Sequence, residues 1–340
     1  MKEKTTGLPV REILTGKATE QRLKLGVVGV GYLGEFHVQK YASMEDIDLV
    51  GIADINLERA QEMARKYNTK AYDSHTQLLT HVDGLSLAVP TMAHFEIGHD
   101  ILDHGIHLLI EKPITFELSD ADRLIEVAKK RNAILQIGHV ERFNPAVIKM
   151  ESMLSLPLFI DCHRYGLFTN RGTDVDVILD LMIHDLDIIL HIVNSEIQEI
   201  HAFGIPVVSG KIDIANVRIL FSNGTVANLN ASRISNESLR IIRIIQPDNC
   251  ISIDYGRRKI NVSRFTGNEK YAADLSPIVY QEDEFPDSDP LADQIRSFVE
   301  SIKTKTEPKV TGLDGKKALE VALSIIDQIR KNKSQDIILN

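Results

Sequence analysis

The sequence predicts a doubly wound α/β (Rossmann) domain over residues 23–145. An α+β domain with a large, mostly antiparallel, open-faced sheet follows over residues 146–340. Three observations predict this architecture: a glycine-rich turn between a strand pattern and a helix pattern, an alternation of strands and helices after it, and longer strands in the second half. Residues 1–22 precede the first strand pattern and form an N-terminal extension.

The glycine-rich turn is the strongest local signal. The apolar run at residues 25–28 predicts a buried strand, and Gly29, Gly31 and Gly34 follow at G-x-G-x-x-G spacing before a helix pattern. A second strand pattern ends at Asp54, about 20 residues beyond the last glycine. The alternative is an ordinary strand-to-helix turn, which needs neither the second strand nor the acid. The pattern therefore predicts a dinucleotide site in which the turn and the helix N-terminus face a pyrophosphate.

Asp54 predicts that the dinucleotide is NAD. A carboxylate at the end of the second strand accepts hydrogen bonds from a ribose 2′-hydroxyl and repels a 2′-phosphate. No Arg or Lys directly follows Asp54, and the nearest is Arg59. We therefore expect NAD rather than NADP as the cofactor.

Strand and helix patterns alternate through the rest of the first domain. Helices are predicted at residues 57–67, 75–81, 93–104 and 119–131, and strands at 84–89, 106–110 and 133–137. Such an alternation predicts a parallel sheet whose ligands lie beyond the carboxyl ends of its strands. The turns that follow these strands therefore share one edge of the sheet.

The second half has a different pattern. One helix is predicted at residues 176–193, and strands at 158–167, 198–203, 215–221, 225–232, 239–246, 250–254 and 259–265. Asn223-Gly224 predicts a hairpin turn. Some strands carry apolar residues on both faces, so we expect the face not covered by helices to meet a second subunit. Helices at 290–303 and 315–330 are expected to pack back towards the first domain.

Composition excludes several classes of protein. With 39 basic and 48 acidic residues the net charge is −9, which disfavours nucleic-acid binding. No apolar run is long enough to span a membrane, and residues 1–21 lack the apolar region of a signal peptide. Cys162 and Cys250 form no metal or redox motif, which favours reduced thiols and a cytoplasmic protein.

Three residues are candidates for catalysis. Lys112 ends a predicted strand on the ligand-binding edge, where it could donate to a substrate oxygen or simply pair with Glu111. Asp180 and His184 lie four residues apart on a predicted helix, so they share a face. They could form a proton-accepting pair or a purely structural one. His191 follows on the same helix, but no third ligand has metal spacing, so no metal site is expected.

The segment GHVERFNP, residues 138–145, follows the last strand of the first domain and lies at the expected interdomain edge. Its polar residues could face a nicotinamide or a sugar, or could be hinge and capping residues. The sequence leaves both alternatives open. The polar residues of interest are His139, Glu141, Arg142 and Asn144.

From about Leu23 to the C-terminal helices, the chain resembles the glucose–fructose oxidoreductase/inositol dehydrogenase (Gfo/Idh/MocA) family. The resemblance rests on GVGYLG at residues 29–34, Pro90-Thr91 with His94, EKPI at 111–114, and Asp180-x-x-x-His184. The FSNGT hairpin at 221–225 and the Pro290-Leu291 helix start add to it.

This resemblance implies roles for individual residues. Lys112 and His184 flank the substrate carbinol, and Asp180 supports them. The implied cofactor-binding residues are Gly29, Gly31, Tyr32, Leu33, Gly34, Asp54, Pro90, Thr91, His94, Glu111 and Lys112. The resemblance also implies dimers or tetramers formed through the open sheet of the second domain.

Within the family, residues 138–145 resemble the branch that oxidises the 3-hydroxyl of UDP-N-acetylglucosamine. That activity supplies a 3-keto sugar to an aminotransferase on the way to a diamino lipid A precursor. His139, Glu141, Arg142, Asn144 and Arg164 are the predicted substrate-binding residues, and Arg142, Arg164 and Arg171 could neutralise a diphosphate. The alternatives are a dehydrogenase of a free polyol or aldose such as inositol or glucose, a non-catalytic NAD-binding sensor, and a glycosidase that uses NAD transiently.

Overall fold

Strands and helices alternate in the first domain. The computed structural model describes residues 22–169, 175–265 and 278–333. The first elements are β1 (Leu23–Val28), α1 (Tyr32–Ala42), β2 (Ile47–Ala53), α2 (Leu57–Tyr67), β3 (Ala71–Tyr72), β4 (Gly84–Leu87), α3 (His94–Asp103), β5 (His107–Glu111), α4 (Leu118–Arg131) and β6 (Leu135–Gly138).

These strands form one parallel sheet in the order β3-β2-β1-β4-β5-β6. The strand order reverses between β1 and β4, and open α/β sheets bind ligands at this point, beyond the carboxyl ends of the strands. Strands β4 and β5 are buried almost throughout, because helices cover both faces of the sheet. The predicted doubly wound domain is confirmed.

One predicted helix of the first domain is much shorter in the structure. Residues 75–81 were expected to be helical, but only a single 3-10 turn forms, His75–Gln77. Leu78 is fully buried, whereas Gln77 and Thr80 are exposed. One buried residue gives no apolar stripe along which a longer helix could pack.

The second domain begins with α5 (Pro145–Glu151) and β7 (Phe159–Tyr165). Then come a π-helical turn (Ile178–Met182), α6 (Ile183–Ile192), β8 (Ile197–Ile205), β9 (Ile214–Phe221), β10 (Val226–Ser232), β11 (Leu239–Ile245), β12 (Asn249–Asp254), β13 (Lys259–Phe265) and β14 (Ile278–Glu284). The strands form one sheet in the order β14-β13-β12-β11-β7-β10-β9-β8, and β7 and β10 are its parallel pair. The predicted mostly antiparallel sheet is confirmed.

Strand β14 was not predicted from the sequence. It is an edge strand, paired with β13 on one side, and most of its side chains are exposed. Its sequence, IVYQEDE, is acidic in its second half and lacks the alternation of apolar and polar residues that identifies a half-buried strand.

The predicted helix at residues 176–193 is not one regular α-helix. A π-helical turn precedes α6, so each residue of that turn is rotated by a smaller angle around the axis than in an α-helix. Single π-helical turns are frequent at functional sites. The change in spacing alters which side chains of this segment lie next to each other.

The C-terminal helices α7 (Pro290–Thr304) and α8 (Gly312–Lys333) pack against the first domain. Phe298 and Val299 of α7 join the buried cluster on one face of the parallel sheet. Gly315 of α8 approaches Ile137 so closely that a Cβ would lie 2.7 Å from it, and Ile329 reaches the second sheet at Gly204. Helix α8 therefore links the two sheets, and one continuous core runs through both domains.

No helix within the described parts of the chain is long and apolar enough to cross a membrane.

Candidate functional site

The glycine-rich turn has the geometry of a phosphate-binding turn. Gly29 has a φ of 84°, which a side chain would strain. A Cβ on Gly34 would lie 1.8 Å from the carbonyl oxygen of Gly29, so α1 can approach the turn only with glycine there. A Cβ on Gly31, in contrast, would meet no atom within 4 Å. The turn is therefore closed on the protein side and open at Gly31.

Helix α1 presents its N-terminus at this opening. Gly31 is the N-cap residue, and no side chain caps the first turn. Tyr32 and Leu33 begin the helix with exposed side chains. Uncapped backbone N–H groups at a helix N-terminus bind anions, and the helix dipole favours negative charge there. The geometry of the turn and the helix fits a pyrophosphate.

Asp54 lies at the carboxyl end of β2, beside the turn. Its Oδ2 accepts a hydrogen bond from the Val30 N–H at 2.8 Å, and its Oδ1 accepts one from the Asn56 N–H at 2.8 Å. Arg59 is held by Glu35 at 2.6 Å and by Glu62 at 2.9 Å. The cation nearest to Asp54 in the sequence is thus already engaged, and the fixed carboxylate suits a ribose diol rather than a phosphate.

The turn after β4 contributes the third part of the cofactor edge. Pro90 is exposed and Thr91 half-buried, and Thr91 begins a short 3-10 turn at the carboxyl end of the strand. His94 was expected to contact the cofactor, but only 1% of it is exposed. Its Nδ1 lies 2.8 Å from the Pro113 carbonyl oxygen and its Nε2 3.0 Å from the Val89 carbonyl oxygen. His94 therefore joins two turns of this edge instead of facing it.

Glu111 is also directed into the interior. Its Oε1 lies 3.1 Å from His37 Nε2 and 3.4 Å from Gln294 Nε2. Burial favours its neutral form, but the hydrogen bond and charge of His37, together with Lys112 and Gln294, outweigh burial and lower the pKa of Glu111. A Cβ on Gly138 would come within 2.5 Å of this carboxylate. The Glu111 side chain thus contacts His37 and Gln294 in the interior, and its contact with the cofactor stays a prediction.

Lys112 and Asp180 meet across the two domains. The Lys112 Nζ donates to the backbone carbonyl of Asp180 at 2.6 Å and lies 3.6 Å from its Oδ1. The peptide bond between Lys112 and Pro113 is cis. The alternative that Lys112 simply pairs with Glu111 is not what the structure shows. Lys112 thus connects the carboxyl end of β5 to the π-helical turn.

His184 lies next to this contact, in the first turn of α6. Its ring is half-buried and meets the ring of His139 edge to face, with 6.4 Å between centroids. Its Nδ1 is buried and has no hydrogen-bond partner among the described residues. Burial, together with the positive charges of Lys112 and Arg164, holds the pKa of His184 well below its usual value. The imidazole is therefore neutral at physiological pH and can accept a proton.

The described residues show no hydrogen bond or ion pair between the side chains of Asp180 and His184. The prediction assumed α-helical spacing, in which residues four apart share a face. Asp180 lies in the π-helical turn, and its backbone carbonyl oxygen and its carboxylate both face the Lys112 ammonium. Asp180 therefore positions the lysine rather than the imidazole.

A buried cluster of charged side chains lies next to helix α6, which carries His184. Arg164 donates to both carboxylate oxygens of Asp185, at 2.8 and 2.9 Å, and to Glu141 at 3.2 Å. Arg142 lies 3.4 Å from Asp187. These pairs join β7 and the segment after β6 to helix α6. They fix the helix that carries His184.

The predicted substrate-binding residues belong mostly to this cluster. Arg142 and Arg164 are 3% and 2% exposed, and their charges are compensated internally. Asn144 caps α5 through Ala146 N–H and also donates to Glu141. Their burial and internal partners fit the alternative of hinge and capping residues, and direct binding of the substrate stays a prediction. Arg171 lies outside the described residues.

His139 differs from the other residues of this segment. It is 1% exposed, yet neither of its ring nitrogens has a hydrogen-bond partner in the described structure. Burial and the charge of Lys112 lower the pKa of His139 to about 3. An imidazole N–H buried without a partner costs about 1–3 kcal/mol. His139 thus lies beside His184 with its hydrogen-bonding capacity unused.

Sequence reasoning missed the acidic residues of the cluster. Asp185 and Asp187 interrupt an otherwise apolar helix, IHDLDIILHI, and both are buried. Carboxylates in a buried helix face require paired cations, so their positions could have predicted an ion-pair cluster.

Most of the chain matches known proteins. A family model described as an oxidoreductase family with an NAD-binding Rossmann fold (GFO_IDH_MocA) matches residues 23–139. Another, the GFO/IDH/MocA C-terminal domain, matches residues 156–246. UDP-N-acetylglucosamine 3-dehydrogenase of Acidithiobacillus ferrooxidans is 36% identical over 307 residues, which are 89% of this chain and 96% of that protein. The chain belongs to the Gfo/Idh/MocA family.

Membership of the Gfo/Idh/MocA family confirms the predicted cofactor, NAD, and the predicted reaction class, a dehydrogenase acting on a CH–OH group. A solved structure of the A. ferrooxidans enzyme has a TM-score of 0.85 at 34% identity and covers 92% of this chain and 98% of that chain. Myo-inositol 2-dehydrogenase of Thermotoga maritima is 25% identical over 346 residues, which cover 92% of this chain and 98% of that protein.

Proposed function

We propose that the chain oxidises the 3-hydroxyl group of UDP-N-acetylglucosamine, with NAD as the hydride acceptor. The observation that carries this proposal is the 36% identity over 89% of the chain to the A. ferrooxidans enzyme of that activity, against 25% to myo-inositol 2-dehydrogenase. Lys112, at the end of β5, and His184, in the first turn of α6, meet where the two domains adjoin, and this place is called the cleft below.

The cofactor half of the site consists of the glycine-rich turn, Asp54 and the turn after β4. Backbone N–H groups from Gly31 to Gly34 bind the pyrophosphate, and Asp54 binds the adenosine ribose. Pro90 and Thr91 line the path towards Lys112. When bound, NAD supplies a hydride acceptor at C4 of its nicotinamide ring.

His184 and Lys112 handle the proton. The buried Nδ1 of His184 leaves Nε2 for the substrate, and this neutral nitrogen accepts the proton of the 3-hydroxyl group. The Lys112 ammonium donates a hydrogen bond to the oxygen on which negative charge develops. Asp180 holds Lys112 in reach, and His139 offers a second imidazole to the sugar or the nicotinamide.

The product of this reaction is a 3-keto nucleotide sugar. An aminotransferase converts such a carbonyl group to an amine, so the proposal includes an aminotransferase as the next enzyme. It places the chain in the synthesis of a diamino lipid A precursor. Removal of the keto sugar by that enzyme would also draw the oxidation forward.

The proposal also includes a homodimer or homotetramer formed through the open face of the second sheet. On that face an apolar row crosses four strands in register: Leu220, Val226, Phe159 and Ile245. Ile245 is 39% exposed in the monomer, although the opposite face of its strand is buried. A second copy would cover this row.

The test is NADH formation with a panel of UDP-sugars, free hexoses and inositols, followed by mass spectrometry of the keto product. Expected is turnover with UDP-N-acetylglucosamine and a product two mass units lighter than the substrate. An aminotransferase can be added to remove the product. Turnover with inositol but not with UDP-N-acetylglucosamine would replace the proposal with the second candidate, a polyol dehydrogenase, which the T. maritima relative favours.

A further inference from the structure

Strand β11 begins beside the candidate site, and its second residue, Arg240, projects towards it. In the pairing of β11 with β7, Arg240 lies directly opposite Arg164. Directly opposite residues of antiparallel strands project to the same face, with Cβ atoms about 5 Å apart. Arg164 reaches Asp185 on that face, next to His184. Arg240 therefore lies on the face of the sheet that carries the site.

On this face, the rows of residues that lie opposite one another across neighbouring strands change from apolar to charged at Arg240. Two rows are apolar and fully buried: Ile160, Ile244 and Ile251, and then Cys162, Ile242 and Ile253. The next row contains Arg164 and Arg240, and Tyr255 follows, whose N–H donates to the Arg240 carbonyl oxygen at 2.9 Å. The hydrophobic core ends at this row, where the sheet meets the cleft.

The two arginines of this row have different environments. Arg164 is buried, and its charge is compensated by Asp185 and Glu141. Arg240 is exposed, and within residues 22–169, 175–265 and 278–333 it has no ion pair and no side-chain hydrogen bond. Its positive charge is nevertheless among those that lower the pKa of His184 and oppose the rise in the pKa of Asp185. Arg240 thus contributes an uncompensated charge within electrostatic range of the reacting imidazole.

We propose that Arg240 binds the diphosphate of the substrate and thereby selects nucleotide sugars over uncharged sugars and polyols. This inference rests on the proposed function. A guanidinium donates two parallel hydrogen bonds to a phosphate, and a compact ammonium cannot reproduce that geometry. The protein carries a net charge of −9, so an anionic substrate requires local positive charge. The buried Arg142 and Arg164 do not supply it.

The position of Arg240 suits the shape of the substrate. In a nucleotide sugar the diphosphate is attached to C1, and C3 lies two carbon atoms away on the same ring. When the 3-hydroxyl contacts His184, the diphosphate therefore lies in the same cleft. Arg240 stands one strand beyond Arg164, which itself contacts the residue after His184.

The experiment compares the full chain with three variants, using UDP itself as the probe. Binding of UDP is measured by calorimetry at saturating NAD for wild type, Arg240→Gln, Arg240→Lys and Arg65→Gln. Arg65 is the matched control because it is exposed, changes the net charge equally and lies in the last turn of α2, away from the carboxyl ends of the strands.

Arg240→Gln is expected to weaken UDP binding roughly 10- to 100-fold, the usual worth of a charge-assisted contact. The affinity of Arg240→Lys for UDP should lie between those of wild type and Arg240→Gln. Arg65→Gln should bind UDP as tightly as wild type does. The affinity for NAD is expected to be the same in all four proteins. This measurement also shows whether each variant is folded.

Two results would overturn the inference: wild type that does not bind UDP, or Arg240→Gln that binds UDP as tightly as wild type. A loss of stability in Arg240→Gln without a loss of UDP affinity would assign the residue to balancing the buried carboxylates. The proposed function is judged separately, by turnover of UDP-N-acetylglucosamine in wild type. A chain that binds UDP through Arg240 but does not oxidise that sugar would retain the inference and lose the proposed function.

Discussion

The two halves of the candidate site are built from different parts of the polypeptide. The cofactor half uses the backbone: a glycine-rich turn, an uncapped helix N-terminus, and Asp54, which backbone N–H groups hold in place. The substrate half uses side chains from distant segments, in which buried ion pairs such as Arg164 with Asp185 hold α6 and its His184. The first half is a local structure, whereas the second exists only when the two domains are packed together.

Replacing the reacting side chains should have the largest effect, because it should abolish turnover while leaving NAD binding intact. In His184→Asn and Lys112→Met we expect turnover to fall by about 10²- to 10⁴-fold, because a proton acceptor or an oxyanion donor is lost. Affinity for NAD should change by no more than a few-fold, since neither side chain belongs to the pyrophosphate or ribose contacts. Turnover is measured by NADH formation, and NAD binding by calorimetry.

His191→Asn is the matched control for this prediction. His191 lies on the same helix, is exposed, and contacts Glu151 at 3.2 Å instead of the cleft. Its replacement should leave turnover within about twofold of wild type, as expected for a surface change of less than 0.5 kcal/mol. Near-normal turnover in His184→Asn or Lys112→Met would remove these residues from the reaction.

Breaking the buried ion pair should damage the substrate half through stability. In Arg164→Met the carboxylates of Asp185 and Glu141 stay buried without their cation, which costs about 3–5 kcal/mol of the free energy of unfolding. Chemical denaturation measures this loss. The control is Arg131→Met, because Arg131 also makes two hydrogen bonds to one carboxylate, Asp103, but on the surface.

The surface pair should contribute at most about 1 kcal/mol. Equal losses for Arg131→Met and Arg164→Met would contradict the view that burial makes the second pair indispensable. Such a result would also weaken the contrast between the two halves, because the substrate half would then not depend on its buried charges.

Two glycines sharpen the description of the cofactor half. Gly34→Ala should lower the free energy of unfolding by about 1–3 kcal/mol, because the new Cβ would overlap the carbonyl oxygen of Gly29.

Gly31→Ala should change the free energy of unfolding by less than about 0.5 kcal/mol, because its Cβ meets no protein atom. It should nevertheless weaken NAD binding about tenfold, or 1.4 kcal/mol, since the methyl group occupies the space of the pyrophosphate. Thermal melts and NAD titrations distinguish these outcomes, and unchanged NAD affinity in Gly31→Ala would place the pyrophosphate elsewhere.

The fold and the cofactor half could be predicted from the sequence because their signals are local. Glycine spacing, the acid at the end of β2 and the alternation of strands and helices each reflect constraints within a short segment. The substrate half could not be predicted in the same way. Arg142 and Arg164 are visible as charges, but their partners are decided by packing between segments up to 45 residues apart.

The side-chain directions within the site could not be predicted for the same reason. His94 and Glu111 occur in the family motifs, but their side chains point inward to support the edge. The pairing of Asp180 with His184 was expected from helical spacing, whereas the structure shows Asp180 against Lys112. A sequence pattern identifies which residues matter, but the direction of a side chain depends on what it packs against.

The smallest expected effect is the contribution of His139, which lies between the two halves of the site, to the pH dependence of stability. Its pKa is about 3 in the folded chain and 6.5 for an ordinary histidine, because burial and Lys112 oppose its protonation. Between these values the unfolded chain binds one more proton than the folded chain. The contribution to stability is therefore fully present above pH 6.5 and is lost, at about 1.4 kcal/mol per pH unit, as the pH falls towards 3.

A comparison of wild type with His139→Gln isolates this contribution, because glutamine does not titrate. Asp187, whose pKa burial raises to about 7, has the opposite dependence, but it is present in both proteins and cancels in the difference. Urea denaturation at several pH values from 7.5 to 4 should show wild type losing stability relative to the variant. Parallel curves would mean that His139 takes up a proton in the folded chain. The cleft would then be open to water at the place where the two domains meet, and His139 would not be held neutral beside His184.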